Sequence, residues 1–262
     1  MFIEINNLVV YVINLDRSPD RLSDMARQLE LLGMPYRRVT AIDGSNATTE
    51  QKALIDVERY IKLHGKTPLP GELGCYLSHY LAIETFEKAP EEFALILEDD
   101  AILSSCLTQT VRGLLADPQS WDMAKFSGVH SGTPIVTRHI SASCNLCVML
   151  TKCTGSSAYL INKKAANSYV NKLLPMCLPI DHEIDKGWDY GIKVRAVIPF
   201  PVTHNTQAHS TIGEPPISRK LPAHRRFSTY WYRLKTELRR VIYGVISVLH
   251  DKFGTHKKTV ES

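Results

Sequence analysis

Phe93-Ala94-Leu95-Ile96-Leu97-Glu98-Asp99-Asp100 is the stretch that decides the reading of this chain. Five apolar residues in a row fit a strand buried on both faces, as in a parallel sheet. Three acids then follow without a break. Carboxylates packed this closely repel one another and resist desolvation unless a positive group sits among them. A hard divalent cation with oxygen ligands is one such group. In open α/β sheets, ligands bind beyond the carboxyl ends of strands, where these acids fall. The competing reading is a strand that leaves the core into a solvated acidic turn.

The flanking sequence supports an α/β sheet. Leu8 to Ile13 is a β-branched strand. Ser18-Pro19-Asp20 then has the residue types of a helix start, and Leu22, Met25, Ala26, Leu29 and Leu32 keep helical spacing up to Gly33. Tyr36 to Val39 reads as a second strand. No Gly-rich phosphate loop follows the first strand, which argues against dinucleotide dehydrogenases and P-loop enzymes. Helices are expected over Thr48 to Leu63, from Gly71 to about Lys88, over Ser105 to Leu115, and from the cap Asn162 to Leu174. Further strands are expected at Met123 to Ser127, Gly155 to Ile161 and Val194 to Val202. Ser131 to Thr151 reads as an irregular, mobile loop. This alternation over residues 8–202 predicts an α/β fold.

The chain has 262 residues, 44% hydrophobic and 22% charged, which suits a soluble globular protein. Its net charge of +4 hides an asymmetry. Residues 219–262 carry 11 Lys/Arg against 3 Asp/Glu, whereas residues 1–218 carry 20 against 24. A mildly acidic body with a basic tail points to an anionic partner for the tail. The six cysteines are few for this length, and no signal-peptide pattern opens the chain, so reduced thiols and a cytosolic setting are expected. Cys144 and Cys147, with Cys153 nearby, lack a second ligand pair and read as ordinary thiols. No apolar run approaches the roughly 20 residues of a membrane span.

Four segments, taken in order, resemble glycosyltransferase family 25, the bacterial lipooligosaccharide galactosyltransferases. They are Ile13-Asn14-Leu15-Asp16-Arg17 with Arg21, Gly71-Glu72-Leu73-Gly74-Cys75 through Ser78-His79, Leu97-Glu98-Asp99-Asp100, and Pro179-Ile180-Asp181. Gly155 to Ile161 and Ser210-Thr211-Ile212 also look like family segments. The resemblance covers about residues 8–213. It implies a GT-A-like, Rossmann-type sheet flanked by helices. It also implies a UDP-sugar donor (UDP-galactose as a rule), Mn²⁺ or Mg²⁺, and inversion at the anomeric carbon. Carried over by residue, Asp100 becomes the metal ligand. Glu98 and Asp99 meet ribose, sugar or metal-bound water, with Glu98 a further ligand. Asn14, Arg17 and Arg21 approach the nucleotide, with Ser78 and His79 in the same donor-binding set. On spacing alone, Arg17 and Arg21 fit a solvated helix face, and His79 fits a core histidine.

Glycosyl transfer needs charge stabilisation at the leaving diphosphate and a base for the acceptor hydroxyl. Asp181 is the candidate base and Asp185 the alternative, in an acidic cluster that includes Glu183. Asp181 as a simple helix cap is an almost equal reading. His204, after the last strand, is a candidate metal ligand or an ordinary surface histidine. The division expected is a catalytic domain over residues 1–217 and a basic amphipathic tail over 218–262. From His224 to Leu249, Phe227, Tyr230, Trp231, Leu234, Leu238, Val241, Ile242, Val245, Val248 and Leu249 form one stripe, and six Arg/Lys lie opposite. Such a helix is expected to lie on an anionic membrane surface through residues 224–250 rather than on nucleic acid. Alternatives for the tail are docking on the body and an oligomer seam.

The functional expectation is an inverting, metal-assisted hexosyltransferase. It would add galactose to a lipid-linked oligosaccharide or lipopolysaccharide at the inner face of the bacterial inner membrane. A metal-dependent nucleotidyltransferase and a non-catalytic membrane adaptor on a degenerate transferase fold are the alternatives.

Overall fold

The computed structural model describes residues 7–129, 132–204, 221–222 and 226–253. The chain forms β1 (Leu8–Asn14), α1 (Pro19–Leu31), β2 (Arg37–Thr40), α2 (Thr49–Lys52), α3 (Val57–His64) and α4 (Pro70–Lys88). It continues with β3 (Phe93–Glu98), β4 (Ala101–Leu103), α5 (Leu107–Ala116), β5 (Met123–Lys125), β6 (Pro134–His139), β7 (Asn145–Met149) and β8 (Ala158–Asn162). The remaining elements are α6 (Lys163–Lys172), α7 (Ile180–Glu183), α8 (Gly187–Tyr190), β9 (Val194–Ile198), β10 (Val202–His204) and α9 (Phe227–Phe253).

Eight strands make one mixed sheet in the order β2-β1-β3-β8-β5-β9-β7-β6. β1 runs parallel to both β2 and β3, while β8 is antiparallel to β3 and β5. The apolar runs are continuous because the central strands are covered on both faces. Val9, Tyr11, Ile13, Ala94 and Ile96 join one core cluster, which includes Tyr76, Ile83 and Phe86 of α4. Val10, Val12, Leu95 and Leu97 point the other way, into a cluster with Met25 and Leu29 of α1 and Val111 of α5. The fold is thus a mixed α/β sheet flanked by helices, as the strand pattern predicts.

Three local expectations are corrected. The helix expected over Thr48 to Leu63 is two helices, because the chain between them bridges Ile55 to Met176 and Asp56 caps α3 through Arg59 N. The Ser131 to Thr151 segment contains the β6–β7 hairpin that ends the sheet. β6 is partly exposed and polar at its end, and β7 is a short apolar run without alternation, so neither shows a period-2 pattern. The last strand breaks at Pro199-Phe200-Pro201, after which β10 pairs with β4 in a separate two-stranded ribbon.

α9 docks on the body through its polar face. Arg240 and Asp251 are buried, and Tyr243 donates to Ile192 O at 2.7 Å. Its apolar stripe faces outward: Phe227 is 78% exposed, Trp231 63%, Leu234 64% and Leu238 61%. Among the described residues, no helix is long and apolar enough to cross a membrane.

Candidate active site

β1 and β3 are parallel neighbours, and their register aligns Ile13 with Glu98. Their carboxyl ends therefore open side by side, and a cleft of about 280 Å³ lies there. Arg17, Arg21, Ser78, His79, Glu98, Asp99 and Asp100 all line it, so one cleft gathers residues from three of the four segments singled out in the sequence. The wall opposite the strands is α4, held close by a contact that only glycine permits. A Cβ on Gly74 would meet Gly44 N and Ile42 O at 2.5 Å. Ser78 Oγ donates to Gly74 O at 2.6 Å and accepts from Ile42 N at 2.8 Å, which pins the 41–45 loop to the helix.

The three acids have different surroundings. Glu98 Oε1 accepts from Ser156 Oγ at 2.7 Å and from His79 Nε2 at 3.1 Å. The other ring nitrogen of His79 meets the Tyr159 hydroxyl at 2.9 Å. His79 is buried, so it orients Glu98 from behind and is itself fixed by Tyr159. Asp99 Oδ2 accepts from Asn14 Nδ2 at 2.6 Å, and Oδ1 meets Arg21 at 3.3 Å. Burial outweighs these partners and pushes the Asp99 carboxyl up. Asp100 lies 3.8 Å from the same arginine.

Arg21 is therefore a positive group placed between Asp99 and Asp100. A hard cation fits the oxygen donors of Asp100 and Glu98, and Arg21 would have to shift to admit one beside Asp100. Cys75, His79 and Glu98 also bring ligand atoms within 4.8 Å of one another. That trio is poorly suited to a metal. Both His79 nitrogens are engaged, and burial with the nearby charges of Glu98 and Asp181 drives the Cys75 thiol well up, keeping it protonated.

Asn14 is buried and is not among the residues lining the cleft; its side-chain amide donates to Asp99 and holds that acid in place. Arg17 crosses the mouth to pair with Asp43, which also caps the short 3-10 turn at Gly44–Asn46. Asp181 lies in the first turn of α7, where Pro179 holds the cap position, so the helix-cap reading gives way. Burial pushes its carboxyl above the usual range, and Glu98 adds to this, while Lys125 and Lys152 oppose it. Asp181 is thus within electrostatic reach of the acid cluster.

Asp185 is a different case. It is 5% exposed and accepts from Arg240 at 2.6 Å, with Lys125 3.7 Å away. Its surroundings are those of a buried counter-ion, and it does not line the β1/β3 cleft. His204 ends β10, where the register sets it beside Ala101, one residue beyond Asp100. Ser210-Thr211-Ile212 lie outside the described residues.

Sequence reasoning gave no role to Ser156 and Tyr159, which build the Glu98 support, and missed Lys125, whose charge acts on Asp181. A lysine inside the apolar strand β5 was a readable signal, since lysine is almost never fully buried unless paired. The cysteines at 144, 147 and 153 are free and buried, as ordinary thiols would be.

Comparison with known proteins identifies the family of the sequence that builds this cleft. Residues 7–184 fit the family described as glycosyltransferase family 25 (LPS biosynthesis protein). The chain belongs to glycosyltransferase family 25. It is 30% identical over 124 residues to a glycosyltransferase 25 family member of Anopheles gambiae, covering 45% of this chain and 21% of that protein. It is 34% identical over 95 residues to procollagen galactosyltransferase 2 of Homo sapiens, covering 35% of this chain and 15% of that protein. An inactive glycosyltransferase 25 family member 3 of Homo sapiens is 31% identical over 122 residues, covering 44% of this chain and 20% of that protein. The chain spans about a fifth of the length of such curated relatives. Family membership makes a transferase reading stronger than the nucleotidyltransferase alternative.

Proposed function

We propose that this family 25 protein is an active GT-A-type hexosyltransferase that uses a UDP-sugar, with galactose as the sugar. The observation that carries this reading is the Glu98-Asp99-Asp100 turn at the mouth of the β1/β3 cleft, with Arg17 and Arg21 beside it. The names of relatives, procollagen galactosyltransferases among them, support galactose as the sugar.

In this reading the cleft takes the nucleotide, and Arg17 and Arg21 face its diphosphate. Asp100 and Glu98 would hold Mn²⁺ or Mg²⁺, whose chemistry is to offset charge on the leaving diphosphate. Asn14 keeps Asp99 fixed. His79 and Ser156 keep Glu98 aimed into the cleft, which preorganises it. Asp181 takes the proton from the acceptor hydroxyl as that oxygen attacks the anomeric carbon, with inversion. Its raised pKa makes it a stronger base than an exposed aspartate.

The acceptor is proposed to be a lipid-linked oligosaccharide, reached from the inner face of a bacterial membrane. The supporting observation is α9: its polar face is fixed to the body, and its large apolar side chains remain outside. Lys235 and Arg239 are exposed on the same helix and suit an anionic leaflet.

The test is a screen of UDP-sugars for hydrolysis and transfer, with and without Mn²⁺ or Mg²⁺. Metal-dependent turnover of UDP-galactose is expected. Binding of UDP without turnover of any UDP-sugar would favour the non-catalytic adaptor, and turnover of nucleoside triphosphates would favour nucleotidyl transfer.

A further inference from the structure

A second cavity, of about 410 Å³, lies between α7 and α9, apart from the β1/β3 cleft. Its volume is within the range of about 300–1,000 Å³ typical of small-molecule sites. Lys66, Lys152, Lys186, Arg233 and Arg240 line it, and Glu237 is the lining acid among the described residues. Two of the cations are paired with acids, Arg240 also with the lining Glu237 at 3.5 Å. Lys186 pairs with Glu183 at 2.7 Å, and Arg240 pairs with Asp185 at 2.6 Å. Lys152 meets a neutral group, His182 Nε2, at 3.1 Å, and Arg233 donates to a backbone carbonyl, His64 O, at 3.2 Å.

The cations act on the histidines beside them. His64 and His182 are pushed down to about 3 by burial first, then by neighbouring charge: for His182, Lys152 and Arg233 lead. Burial, Arg233 and Arg240 also push Lys152 down against the pull of Asp181. Like charges gathered in a partly enclosed cavity are unfavourable alone and become favourable around an anion. Lys152 connects this space to the chemistry, since it lines the cavity and its charge acts on Asp181.

We propose that this cavity binds an oxyanion, a phosphate or carboxylate, carried by the acceptor saccharide, and so holds the acceptor beside Asp181. The inference rests on the transferase reading for the word acceptor, but the anion site stands on its own geometry. α9 then has two roles. Its inner face, through Arg233, Glu237 and Arg240, builds the acceptor cavity, and its outer face carries the apolar stripe.

The experiment is calorimetry on the full-length protein with inorganic phosphate, glucose 6-phosphate, glucuronate and glucose, and separately with UDP. Inorganic phosphate, glucose 6-phosphate and glucuronate should each bind, with glucose weaker than the last two. A preference between the last two identifies the source of the oxyanion. Lys152→Ala and Arg233→Ala should each weaken phosphate binding about tenfold or more, the scale of a charge-assisted hydrogen bond. Lys152→Arg should retain it. Donor binding should hold in all three, because the β1/β3 cleft is separate. Arg233 is an exposed residue of α9 that bonds His64 O, so Arg233→Ala remains informative if Lys152→Ala does not fold. Phosphate binding unchanged in both alanine variants, or glucose binding as well as glucose 6-phosphate, would overturn the proposal. A parallel loss of UDP binding would also overturn it, by assigning these cations to the donor. Failure of UDP to bind wild type, with phosphate binding intact and lost in the variants, would sink the transferase reading and leave the anion site standing.

Discussion

Arg240 of α9 donates to Asp185 Oδ2 at 2.6 Å, and both residues are at most about 5% exposed. A charge from the tail thus neutralises a buried acid of the body, which makes α9 part of the fold. A second buried pair repeats the pattern: Arg195 of β9 meets Asp251 at 2.9 Å. A detachable tail with an independently stable body is not what these pairs describe.

Arg240→Ala should therefore destabilise the protein. Breaking a buried pair from one side leaves its partner charged and desolvated, at a cost of roughly 3–5 kcal/mol. Lys125 stands 3.7 Å from Asp185 and supplies part of the missing charge, so the lower end, about 3 kcal/mol, is expected. Urea unfolding of the variant measures this. Truncation before α9 removes both pairs at once and should lower stability further. A truncated body as stable as the full chain would show that the pairs contribute little.

Asp181→Asn should reduce transfer by about 10²–10⁴-fold while UDP binding stays near normal, because an amide cannot take the acceptor proton. Stability should move the other way. The folded-state pKa of Asp181 is raised, by burial first, so the fold prefers its protonated form. That contribution is complete below the unfolded pKa and is lost as pH rises through the folded one. Wild type should then lose a share of stability with rising pH that the Asn variant keeps, so Asp181→Asn should equal or exceed wild type at pH 7. In wild type, the acidic limb of the pH profile should lie above the ordinary carboxylate range. Denaturation and rate profiles from pH 4 to 8 read both effects. An inactive variant that is also less stable at pH 7 would point to a structural role.

Much of this site was legible because β3 carries its own signal. An apolar run that ends in three acids fixes both the buried strand and the place of its carboxyl end, and β1 supplies a matching neighbour. The direction α9 faces was not legible. A helical stripe is ordinarily a burial signal, and here the opposite side meets the body because Asp185 pairs with the buried Arg240 and Asp189 with Arg239. The role of Asp185 was hidden for the same reason: its partner lies 55 residues away. The cations of the second cavity come from four separate stretches of chain, so no local cluster announces them. The β6–β7 hairpin was missed because β6 is partly exposed and β7 is a short apolar run without alternation.

Asp100→Ala should lower metal-dependent transfer by at least ~10²-fold, the scale of several kcal/mol of lost charge stabilisation. Asp100 lies past the end of β3 and is partly exposed, so the fold should be retained. Mn²⁺ titrations of activity, followed alongside thermal unfolding, separate the two. The variant should need far more metal or fail to respond to it. Near-normal turnover at the wild-type metal requirement would remove Asp100 from the metal set and leave Arg21 as its partner.

Trp231→Asp with Leu238→Asp should abolish binding to anionic vesicles and leave the fold intact. Both side chains are more than 60% exposed, so the charges meet solvent instead of core, and stability should change by no more than about 1 kcal/mol. On a bilayer the same charges enter the apolar layer, where the stripe gains its affinity. Basic residues at the surface add on the order of 1 kcal/mol each at low salt. High salt should weaken binding of the wild type only in part, since screening acts on charges and not on buried apolar area. Vesicle flotation at low and high salt, with thermal unfolding as the control, measures each term. Loss of folding in the double variant would mean that the stripe is covered by protein, as in a dimer seam, and sedimentation of the wild type would then show a concentration-dependent mass.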